Sequence, residues 1–82
     1  MTHQRSLVDT IGTAIVRGDP PKGTVLSIET LTREHGVSRS VVREALRILE
    51  TLGMIVARQR VGITVLGREH WQLLDPWVIA WR

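Results

Sequence analysis

Arg39, Arg43 and Arg47 recur every four residues, so on a helix their guanidinium groups form one stripe along one face. A guanidinium forks onto phosphate oxygens or onto the O6/N7 edge of guanine, where a lysine acts as a point charge. The chain holds ten arginines and one lysine at a net charge of +3 over 82 residues. That bias, more than the small net charge, points to nucleic acid as a partner. A solvated basic surface is the plain alternative.

A helix over 39–52 would carry the stripe. On a wheel turning about 100° per residue, Val41, Val42, Ala45, Leu46, Ile48, Leu49 and Leu52 share one side. Arg39, Ser40, Arg43, Glu44, Arg47, Glu50 and Thr51 share the other. The apolar side must pack on other helices, which leaves the arginines outward. Cations near a helix N-terminus oppose its dipole, and an anion bound there removes the conflict. Arg39 and Arg43 are therefore the expected readers of guanine edges. Ser38, as N-cap, and Ser40 would reach phosphates through their hydroxyls and the free N–H groups of the first turn. Val41 is either core or a contact for a thymine methyl. Arg47 lies farther along, within i±3 of Glu44 and Glu50, so pairing with those carboxylates explains it as well as DNA does.

The flanking sequence supplies the elements that would hold this helix. Leu7, Ile11 and Ile15 keep helical spacing behind a possible cap at Ser6, and Gly18 ends that run. Asp19-Pro20-Pro21-Lys22-Gly23 reads as a turn, and Val25-Leu26 as a short extended piece. A second short helix opens at Ser27 or Glu29 and stops at Gly36, with His35 at a place that favours partial burial. After Gly53 come two β-rich runs, 54–58 and 63–66, around the loop Gln59-Arg60-Val61-Gly62. The order is helix, short strand, helix, turn, helix and hairpin. It describes a mainly α domain with a small β-hairpin, a winged helix-turn-helix over residues 6–66. Arg58, Gln59, Arg60 and Gly62 then form a basic wing for phosphates or the minor groove; an ordinary charged turn that keeps an edge strand soluble is the alternative.

Residues 67–82 differ in character and hold every aromatic side chain, Trp71, Trp77 and Trp81. Asp75 and Pro76 form a good helix start. Trp71, Leu74, Val78 and Trp81 fall on one face, which is either the surface of a protein-interaction module or a helix that packs on a further domain or a partner subunit.

Other chemistry finds little support. No Ser-His-Asp or Cys-His set, glycine-rich phosphate loop or poised carboxylate pair is visible, so an enzyme is not expected. His3, His35 and His70 lack metal-ligand spacing, and no cofactor is expected. There is no cysteine, which excludes disulfides and fits a reducing compartment. The N-terminal residues do not resemble a signal peptide, and no apolar run approaches the ~20 residues of a membrane span; a cytoplasmic location is expected.

The run Gly36-Val37-Ser38-Arg39-Ser40-Val41-Val42-Arg43-Glu44-Ala45-Leu46, followed by Leu49-Glu50 and Leu52-Gly53-Met54-Ile55, resembles the signature of the GntR family of bacterial transcription regulators. Gly23-Thr24-Val25-Leu26 resembles that family's first strand, and Arg58-Gln59-Arg60-Val61-Gly62 its wing. Where the family usually has Leu-Pro-Ser-Glu, this chain has Leu26-Ser27-Ile28-Glu29. Trp71 with Leu73-Leu74-Asp75-Pro76 and Trp81 is similar to the junction into the effector domain of the FadR-like branch. The resemblance implies a dimeric, ligand-responsive repressor or activator on a short palindrome of double-stranded DNA. Residues matching Ser38, Arg39, Ser40, Arg43 and Gly62 would lie at the DNA. It also makes residues 67–82 a linker and the start of a helix leading to a C-terminal effector domain outside this chain, with any metabolite or metal site there.

Overall fold

The computed structural model describes residues 3–82. The N-terminal reading falls partly on Met1 and Thr2, which lie outside the described residues. Helix α1 spans His3–Val16, strand β1 Val25–Leu26, helix α2 Ile28–His35 and helix α3 Arg39–Thr51. Strands β2, Ile55–Arg58, and β3, Gly62–Val65, follow, then a 3-10 turn at Arg68–His70 and helix α4, Pro76–Trp81. The sheet is antiparallel in the order β1-β3-β2. It pairs Val25 with Thr64 and Leu26 with Ile63 on one side, and runs from Ile55–Val65 to Arg58–Gly62 on the other. The extended piece read at Val25-Leu26 is thus a third strand of the wing. This is a winged helix-turn-helix.

Capping explains where the central helices start. The Ser27 hydroxyl accepts from the Thr30 N–H, and the Ser38 hydroxyl from the Val41 N–H, each at 3.2 Å. Each bond satisfies one of the N–H groups a helix start leaves open, worth about 1 kcal/mol. Gly36 ends α2 in the left-handed conformation, φ 63, which turns the chain into α3 within two residues. Ser6 is not a cap: α1 begins at His3, so Ser6 lies inside its first turns, where its carbonyl accepts from the Thr10 hydroxyl. His35 is exposed at the end of α2, not partly buried. The last turn of α2 faces outward there, and Leu31 is its residue in the core.

The core lies where α3 crosses α1 and meets the sheet. Val42, Ala45 and Leu49 are fully buried, on the face the helical wheel assigns. Val8 of α1, Met54 and Val65 complete its centre. Burying one such side chain fully contributes roughly 1.5–3 kcal/mol.

The tail corrects one expectation. Trp71, Leu74, Val78 and Trp81 do not form an exposed stripe, because α4 folds back on α1. Val78 is fully buried in the core, Trp71 and Trp81 are half-buried, and Leu74 is 88% exposed. The indole N–H of Trp81 donates to Asp9 Oδ1 at 3.1 Å. Gly12 makes the docking possible: a Cβ at that position would stand 2.5 Å from Cη2 of Trp81. Trp77 meets Trp81 edge to face at 5.6 Å, and the Arg5 guanidinium lies 5.6 Å from the Trp77 ring centre, in cation–π range. As read from sequence, α4 starts at Asp75-Pro76, with Asp75 Oδ1 accepting from Trp77 N at 2.8 Å.

Among the described residues, no helix is long and apolar enough to cross a membrane, and no group of three or more His, Asp or Glu side chains is placed to hold a metal ion.

Candidate nucleic-acid interface

The buried face of α3 fixes what its other face offers. With Val42, Ala45, Leu46 and Leu49 turned inward, Ser38, Arg39, Ser40, Arg43 and Arg47 are all exposed. Val41 is half-buried, so it packs on the core and keeps one edge outside. The first turn of α3 carries no acidic residue, and its N–H groups and dipole present positive potential. The Ser38 oxygen is engaged as the cap, while its O–H remains able to donate to a phosphate.

Arg43 and Arg47 have no carboxylate within 4.0 Å; among the described residues the one ion pair of an arginine is Arg39–Glu29. The i±3 pairing of Arg47 with Glu44 and Glu50 is therefore not formed. Glu50 turns instead toward the wing, where its Oε2 accepts from the Ala57 N–H at 3.4 Å. Strand β2 is at the sheet edge, and this long, weak bond occupies one of its free donors. Arg43, Arg47 and Glu50 thereby share a shallow groove of about 210 Å³ with Ala57 and Ile63 of the wing strands. The arginine stripe and the base of the wing border one concavity.

The wing tip follows directly from that groove. Arg58, Gln59, Arg60, Val61 and Gly62 are all exposed. The Val61 N–H donates to the Arg58 carbonyl at 3.1 Å and closes a turn that holds Arg60 at φ 67. An arginine in this left-handed region costs roughly 1–2 kcal/mol relative to an ordinary conformation. Strain of this kind gathers at binding sites. Arg60→Gly is accordingly expected to raise the midpoint of thermal unfolding by several degrees while weakening binding to any duplex. The slope of log affinity against log salt should become shallower by about one unit. Thermal melts and salt-dependent anisotropy titrations of both proteins check this.

Two residues of this interface carry no signal in the sequence alone. Glu29 of α2 pairs with Arg39 of α3 at 3.4 Å, and Glu50 reaches strand β2. Both contacts join separate elements, and no local spacing rule announces them.

Comparison with known proteins agrees with this architecture. The GntR family of bacterial regulatory proteins matches residues 3–65. The HTH-type transcriptional regulator YieP of Escherichia coli is 36% identical over 76 residues, which are 92% of this chain and 33% of that protein. The gluconate operon transcriptional repressor of Bacillus subtilis is 47% identical over 53 residues, 65% of this chain and 21% of that protein. The regulator YjiR of Escherichia coli is 34% identical over 77 residues, 93% of this chain and 16% of that protein. The chain thus spans a third or less of the length of these relatives. With a match to most of its length and a capped, arginine-bearing helix beside a three-stranded wing, the chain belongs to the GntR family of bacterial regulatory proteins, as its DNA-binding helix-turn-helix domain.

Proposed function

We propose that this domain reads a short palindromic operator for a cytoplasmic transcription regulator of the FadR-like branch. Arg39 and Arg43 meet guanine O6/N7 edges in the major groove, and Ser38 and Ser40 hold phosphates at the α3 N-terminus. Val41 offers its outer edge to a thymine methyl, and Arg47 reaches the flanking backbone. Arg58, Gln59 and Arg60 approach the backbone or minor groove, with Gly62 at the foot of the tip. The observation that carries this reading is the exposed start of α3, capped by Ser38, with Arg43 free of any carboxylate partner.

Residues 67–82 lead from this domain toward a C-terminal effector domain. The greater length of the relatives supports that reading. Two heads in a homodimer, spaced by about one helical turn of DNA, would engage the two half-sites. Linking the heads converts the second contact into an intramolecular one, so a single head binds more weakly than the dimer.

Selection of bound duplexes from a random pool by the 82-residue chain tests the proposal. The expected result is an enriched half-site containing guanine, with log affinity falling against log salt at a slope of about −3 to −4.5, as three to five phosphate contacts require. A pool that stays random, or an affinity that ignores salt, would overturn it.

A further inference from the structure

We infer that Glu29 is a positioning residue for base reading: it holds the Arg39 guanidinium across the helix-turn-helix and so sets specificity without reading a base itself. The inference rests on the proposed role of Arg39 at a guanine edge. Arg39 is the first residue of α3 and Glu29 the second residue of α2. Both helix starts are fixed by serine caps, Ser27 and Ser38. The two side chains therefore spring from anchored points, and Arg39 Nη2 donates to Glu29 Oε1 at 3.4 Å.

The charges suit this geometry. A carboxylate is favoured in the first turn of α2 by that helix's dipole, whereas a cation is disfavoured in the first turn of α3. Glu29 offsets the unfavourable placement of Arg39 without burying either group, since their side chains are 75% and 57% exposed. An unheld arginine samples many rotamers and loses that freedom on binding. A tethered one has already lost part of it, and a single bond through Nη2 leaves further N–H donors for the two acceptors of guanine.

The same carboxylate repels phosphates. Glu29 thus lowers affinity for every duplex while raising the fraction of affinity that depends on the correct base. That opposed pair of effects separates positioning from a merely structural role, which would move all affinities together.

The test compares wild type, E29Q, R39A and the double variant. Each is titrated by fluorescence anisotropy against the selected duplex, the duplex changed at the guanine assigned to Arg39, and a scrambled duplex. E29Q is expected to lose about two- to fivefold of discrimination at that base, the range of an exposed ion pair. It should also bind the scrambled duplex more tightly than wild type. In the R39A background E29Q should change discrimination no further. Thermal melts confirm that the exposed substitutions leave the fold intact. If R39A loses discrimination and E29Q keeps it, or if E29Q acts equally without Arg39, positioning is overturned while the reading of Arg39 stands. If R39A keeps full discrimination, the reading of Arg39 fails and the positioning proposal falls with it.

Discussion

Gly53→Ala is expected to destabilise the domain by about 2–5 kcal/mol, which for a chain of this size lowers the unfolding midpoint by roughly 10–40 °C. Two costs add. Gly53 sits at φ 77, where an L side chain loses roughly 1–2 kcal/mol. A Cβ there would also collide with the His70 carbonyl, whose carbon would lie 2.9 Å away. The obstacle is backbone, so no rotamer change relieves it, and such overpacking costs typically 1–3 kcal/mol. His70 cannot move alone, because the Gln72 N–H donates to the Leu52 carbonyl at 2.8 Å and the Trp71 indole to the Leu66 carbonyl at 3.3 Å. The substitution pries the C-terminal segment away from the end of α3 and the foot of the wing. A thermal melt followed by circular dichroism measures the effect; an unchanged midpoint would contradict the close approach of these segments.

What the sequence made legible was local. Ser38 and Asp75 were readable as caps because a capping side chain bonds to its own helix, two or three residues on. The inward face of α3 was readable because Val42, Ala45, Leu46 and Leu49 repeat at helical spacing. The hairpin was readable from two β-branched runs around a glycine-containing loop. What stayed hidden depends on contacts between distant segments. Val78 looks like part of an exposed stripe until α4 is seen folded onto α1. Gly12 looks like a blemish in a helix, since glycine costs about 1 kcal/mol there relative to alanine, until Trp81 occupies the space beside it. The pairing of β1 with β3 joins residues tens of positions apart and the bridge from Glu29 to Arg39 joins two successive helices, and no periodicity encodes either. Ser6 was misread as a cap because a serine before an apolar run has the same appearance one turn inside a helix.

Arg43→Ala should behave in the opposite way to Gly53→Ala: binding changes and stability does not. Arg43 is exposed, without an ion pair and on the face of α3 turned from the core. Substitutions at such surface positions usually alter stability by no more than about 0.5 kcal/mol. At a guanine edge, by contrast, a bidentate arginine supplies roughly 1–3 kcal/mol of discrimination against the wrong base. That corresponds to about five- to 150-fold in relative affinity. Loss of one cation also removes a general attraction to the duplex, but that part falls equally on cognate and scrambled sequences and is screened by salt. Only the ratio of the two affinities isolates base reading.

That ratio tests base reading by Arg43 most directly. Wild type and Arg43→Ala would each be titrated at one fixed salt concentration against the selected duplex and a scrambled duplex of equal length, with thermal melts run in parallel. Equal unfolding midpoints are expected, with a clear preference for the selected duplex in wild type and a preference reduced at least fivefold in the variant, the lower end of the range for a bidentate pair. Equal preference in the two proteins would contradict base reading at the start of α3.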